Sequence, residues 1–140
     1  LKSIEFIEKT LDYMERRKTN MELRECYTSF GGDFDEVLGR LRREQLVEKF
    51  VFKFLADKSF QLFEESMEKK DYEEALRGVH TMKGICQNLS FTRLYESSNQ
   101  VTQALKKGDY EKAVALTPQL SEDYYCVIHS IEEYKRGREE

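Results

Sequence analysis

The stretch from Asp71 to Leu89, DYEEALRGVHTMKGICQNL, decides the fold class. Within it Tyr72, Ala75, Val79, Met82, Cys86 and Leu89 recur at spacings of 3, 4, 3, 4 and 3 residues. That is the repeat of an α-helix with one apolar face. Asp71, with Glu74 three residues on, has the spacing of a capping box and opens the helix. No part of the stretch alternates with period two, so it does not read as a strand.

The same period extends outward in both directions. Downstream, a helix is expected from Thr92 to Lys107, ended by Gly108. A short helix starts at Asp109, and Thr117-Pro118 reads as N-cap and first position of a last helix reaching Tyr134. Its apolar stripe is Leu120, Tyr124, Val127, Ile131 and Tyr134. Upstream, Phe60, Phe63 and Met67 mark a helix from Ser59 to Lys69. Leu46, Val47, Phe50, Val51, Phe54 and Leu55 give the segment Gln45 to Leu55 a wide apolar face. Asp33 caps a short helix through Leu41, and Met21 to Ser29 forms another, stopped by Gly31-Gly32. Ile4, Ile7, Leu11 and Met14 form one more stripe, and residues 16–20 break it as a linker. The expected fold is all-α: an antiparallel up-and-down four-helix bundle with additional N-terminal helices. Residues 1–20 read as an N-terminal helix and linker, 21–136 as the domain, and 137–140 as a frayed tail.

Composition agrees. The 140 residues include one proline and seven glycines, a helical rather than a turn-rich make-up. With 23 basic and 27 acidic side chains the net charge is −4, which argues against nucleic acid as a partner. No apolar run is long enough for membrane insertion. Glu5, Glu8 and Lys9 break the first apolar stretch, so no signal peptide is expected there. Cys26, Cys86 and Cys126 lie far apart, which suggests neither a disulfide framework nor a metal site. A reducing, cytoplasmic setting follows as the expectation.

A second stripe on the 71–89 helix carries the chemistry. Leu76, His80, Lys83, Gly84 and Gln87 are neighbours beside the core face. A glycine in mid-helix costs about 1 kcal/mol relative to alanine. Gly84 makes sense if something must come close to the imidazole of His80. Lys83, one turn on, would neutralise an anion on the ring nitrogen. Imidazole is itself a neutral nucleophile near pH 7. A lone surface histidine is usually only solvated, and periodicity by itself does not decide between the two readings.

The run His80-Thr81-Met82-Lys83-Gly84-Ile85-Cys86-Gln87-Asn88-Leu89-Ser90 resembles the signature of histidine phosphotransfer (HPt) domains of bacterial-type phosphorelays. The Asp71-Tyr-Glu-Glu-Ala-Leu run before it and the Leu94, Val101, Leu105 pattern after it fit the same family. The resemblance covers residues 21 to 134 and is strongest over 71 to 107. It implies a bundle that relays a phosphoryl group between aspartates of response-regulator receiver domains, or takes it from a sensor histidine kinase. His80 would be the phosphoacceptor, Lys83 would pair with phosphoryl oxygens, and Gly84 would give the receiver clearance. Gln87 would be a polar neighbour. Family members often carry glycine where Ser90 stands, and many place a glutamine on the next helix where Thr102 stands; its hydroxyl would support the ring. The receiver would dock over this flank, through apolar residues near Leu76. It would bring Mg²⁺, so this chain would need no cofactor of its own. With no glycine-rich phosphate loop, the chain would be a monomeric phosphocarrier rather than an enzyme.

Two other readings compete. Lys70-Asp71-Tyr72-Glu73-Glu74-Ala75 and Gly108-Asp109-Tyr110-Glu111-Lys112-Ala113 echo each other 38 residues apart, as the helix starts of a tetratricopeptide adaptor would. Such an array needs about three units for stability, and only two echoes are present. A dimerisation bundle is the other. His129 falls off its helix's apolar stripe and reads as solvated.

Overall fold

The computed structural model describes residues 3–9 and 21–139 of the chain. Residues 3–9 are helical (α1). The helices that follow are α2 (Leu23–Ser29), α3 (Phe34–Leu41), α4 (Glu44–Phe54), α5 (Ser59–Glu68), α6 (Tyr72–Leu89), α7 (Thr92–Lys106) and α8 (Tyr110–Glu139). No strand occurs among the described residues. The expected stripe positions Leu11 and Met14, and the linker 16–20, lie outside the described residues.

Helices α5 to α8 each pack on the next across connections of only two or three residues, which makes them antiparallel neighbours. This is the up-and-down bundle. Helices α2, α3 and α4 close one side of it. Tyr27, Phe30, Phe34, Phe54 and Phe91 form an aromatic cluster with ring centroids 5.0–5.6 Å apart. Phe60 of α5 stacks on Tyr124 of α8 at 3.9 Å. The core stripe of α6 is buried at Ala75, Val79, Met82, Cys86 and Leu89, while Tyr72 is half-buried.

The caps follow local chemistry. Asp33 accepts from the Glu36 N–H at 3.0 Å and starts α3. Asp71 accepts from the Glu74 N–H at 3.3 Å and starts α6. The reciprocal half of that capping box is absent, because the Glu74 carboxylate turns to Arg77 at 2.7 Å. Gly31-Gly32 is more than a helix stop. The Gly32 backbone lies under the Tyr27 and Phe30 rings. The loop bonds the α6–α7 turn through Asp33 N to Ser90 O (2.8 Å) and Arg93 N to Gly31 O (3.1 Å).

The last helix departs from expectation. Thr117-Pro118 starts nothing: α8 runs unbroken from Tyr110, capped by Asp109, whose carboxylate accepts from the Lys112 N–H at 3.2 Å. Thr117 instead donates its hydroxyl back to the Ala113 carbonyl at 2.8 Å. Proline removes the bond to the Val114 carbonyl, but Pro118 and Val114 both face solvent, where water can take that carbonyl. The helix also continues past Tyr134 to Glu139, where a frayed tail was expected. Tyr134 and Arg138 both bond Glu48 of α4, at 3.2 and 3.3 Å, which ties the last turns down.

The cysteines are free, with Cys26 and Cys86 buried. Burial pushes the Cys26 thiol from 9.0 up to about 12, and it pushes the Cys86 thiol and the Tyr27 phenol up as well. An unfolded thiol loses its proton near 9.0, while the folded one keeps it. The unfolded chain therefore binds fewer protons, and stability falls as pH rises from 9.0 toward 12. Urea midpoints should be level below this window and drop within it. A midpoint constant from about pH 8 to 11 would contradict the burial of these groups.

Candidate functional site

Helix α6 turns His80 outward, opposite its buried stripe. Among the described residues, nothing hydrogen-bonds its ring. One turn earlier Arg77 is held by Glu74 at 2.7 and 3.1 Å. That hydrogen bond keeps the Glu74 carboxyl below its ordinary range and raises Arg77. Arg77 is thus a committed charge. Lys83, half-buried one turn after His80, forms no ion pair among the described residues and is the uncommitted cation of this flank. Thr81 points its hydroxyl back to the Arg77 carbonyl at 2.9 Å and leaves the ring alone.

Gly84 stands one turn from His80, and a Cβ built there would meet nothing within 4 Å. Among the described residues, no packing requires a glycine at this position. The contrast is Gly78, two residues before His80. A Cβ there would lie 2.8 Å from the Ser59 carbonyl oxygen and 2.9 Å from the Phe63 nitrogen. Gly78 is the point where α5 and α6 touch backbone to backbone. Both are mid-helix glycines, and only the first is unexplained by the fold.

Gln87 is exposed on the same flank and lines a shallow groove of about 270 Å³ with Glu36, Ser90 and Tyr95. The C-terminus of α6 is locked from α3. Arg40 donates to the Asn88 carbonyl and, at 3.2 Å, to Ser90 Oγ. Ser90 in turn donates to Glu36 at 2.7 Å. Tyr27 donates its hydroxyl to the Leu89 carbonyl at 2.8 Å. These contacts explain the serine. Ser90 has φ +57°, the left-handed conformation that favours glycine, and its hydroxyl is bonded on both sides. The capping arginine lies 50 residues away in sequence, and no local pattern points to it.

The expectation for Thr102 fails. Thr102 is fully buried in α7, and it donates its one hydroxyl proton to the Ser98 carbonyl at 2.7 Å. His80 points out of the bundle, so no hydrogen bond joins the two. The neighbouring Ser98 Oγ is buried without a partner. Leu76 is also less available than expected, being half-buried against the core. His129 is exposed on α8, off the apolar stripe, as expected.

A protein-family model described as Hpt domain matches residues 27–136. The chain belongs to the Hpt domain family. Comparison with curated proteins and with solved structures returned no match. Hpt domains are phosphocarrier modules of two-component signalling, and the all-helical bundle agrees with that membership. The matched span runs from within α2 almost to the end of α8 and includes the whole His80 flank. It leaves the tetratricopeptide adaptor without support. No described helix is long and apolar enough to cross a membrane, and the described residues hold no group of three or more His, Cys, Asp or Glu placed for a metal ion.

Proposed function

We propose that this Hpt domain carries its phosphoryl group on His80, receiving it from a receiver-domain aspartate or a kinase and passing it to another receiver. The observation that carries the reading is Gly84. A helix accepts a glycine costing about 1 kcal/mol at a position that none of the described residues crowds, one turn from an exposed imidazole. Clearance for an incoming partner accounts for that choice.

A ring nitrogen attacks phosphorus as the bond from phosphorus to the aspartyl oxygen breaks, and the carboxylate leaves with the electron pair. Lys83 lies within one turn to meet the phosphoryl oxygens, while Arg77 stays with Glu74. Gln87 supplies a polar group on the exposed side. The receiver contributes Mg²⁺ and most of the catalysis, and the carrier acts as a monomer in the cytoplasm.

Substitution of Gly84 tests this reading. Gly84→Leu should fold as well as wild type, because its Cβ enters open space. Transfer from an aspartyl-phosphorylated receiver should fall by at least tenfold. Labelling by phosphoramidate, a donor small enough to need no clearance, should persist. Unchanged receiver transfer in Gly84→Leu would refute the clearance role.

A further inference from the structure

Helices α3, α4 and the C-terminal half of α6 enclose a groove of about 430 Å³. Its walls are Leu41, Phe50, Phe54, Ile85 and Leu89, and the volume is within the range of small-molecule sites. Phe54 and Leu89 form a nearly closed floor, at 2% and 6% exposure, while Leu41, Phe50 and Ile85 stay half-open to solvent. We propose that this groove binds an amphipathic organic monoanion, an aromatic or aliphatic body with a carboxylate or sulfonate head.

The charges at the mouth select the head. Asp57 places a carboxylate oxygen on the Ser59 N–H at 2.9 Å, at the start of α5. Arg40 is engaged on the end of α6 and on Glu36 at 3.5 Å, but it still contributes positive charge to the rim. Lys53 is exposed, has no ion pair among the described residues, and holds its Nζ 5.2 Å from the Phe50 ring centroid. An ammonium standing over a groove wall is placed for an anionic head whose body lies on that wall. With Arg40 shared with Glu36 and Asp57 turned to the Ser59 N–H, Lys53 is the cation at the mouth left without an ion pair among the described residues.

The test uses the whole chain and two fluorescent probes with the same aromatic body: anilinonaphthalene sulfonate and the uncharged phenylnaphthylamine. Wild type should bind the sulfonate saturably at one equivalent. Lys53→Gln should weaken the sulfonate about tenfold and leave the neutral probe unchanged. Ile85→Glu, with helicity and thermal midpoint checked, should lose both probes. Decanoate should displace the sulfonate. Absent or unsaturable binding, or sulfonate binding indifferent to Lys53→Gln, overturns the proposal. So does a groove whose variants impair receiver transfer while wild type takes up neither probe, since it would then seat a protein side chain.

Discussion

His80→Ala should take up no acid-labile, base-stable phosphoryl label from any receiver that loads the wild type, with its fold unchanged. Both halves of that expectation come from the surface position of the ring. The side chain is exposed and unbonded, so removing it leaves no cavity and strands no partner. Surface substitutions of that kind stay within about 0.5 kcal/mol. The chemistry, by contrast, has no substitute on the flank. Lys83 and Arg77 are cations, and Thr81 and Gln87 are poor nucleophiles at neutral pH. The loss should therefore be to background rather than partial. His129→Ala, altering the other exposed histidine, should label normally. Equal label on wild type and His80→Ala would mean that the acceptor is another residue.

The second large effect is on stability. Gly78→Ala should destabilise the bundle by about 2 kcal/mol, although alanine is the better helix former. The added Cβ meets the Ser59 carbonyl oxygen and the Phe63 nitrogen at 2.8 and 2.9 Å. Both are backbone atoms, so relief requires α5 to move off α6. Overpacking against backbone, which cannot rotate away, sits at the upper end of the usual range, about 3 kcal/mol, offset by about 1 kcal/mol of helix propensity. Melting should fall by roughly 4–8 °C. Gly84→Ala is the control. With nothing within 4 Å it keeps the propensity gain and should melt higher than wild type by a few degrees. A Gly78→Ala protein as stable as wild type would show that α5 and α6 do not touch there.

These glycines also show what the sequence discloses and what it hides. The strict period of Tyr72, Ala75, Val79, Met82, Cys86 and Leu89 reveals α6, because burial of one face imposes that period. The same period puts His80, Lys83, Gly84 and Gln87 together, and a helix leaves no other arrangement for them. Gly78 carries no such mark. It lies on the buried side and reads as one more small residue, and only the distance to α5 gives it a reason. Pro118 misleads in the opposite way. Proline after threonine fits a helix start, yet a solvent-facing turn of a long helix tolerates it when tertiary packing holds both ends. Thr102 fails because register across two helices fixes height along the bundle and not where a hydroxyl spends its proton. Arg40 is hidden for a plainer reason: its bonds to the end of α6 cross from another helix.

The most direct measurement is the location of the phosphoryl group itself. The chain would be loaded by an aspartyl-phosphorylated receiver, kept at alkaline pH to preserve the nitrogen–phosphorus bond, and fragmented in a mass spectrometer. Phosphorylation is expected on His80 and on no other residue. A phosphoryl group on His129 or on a carboxylate, or a chain that several receivers leave unmodified, would contradict it.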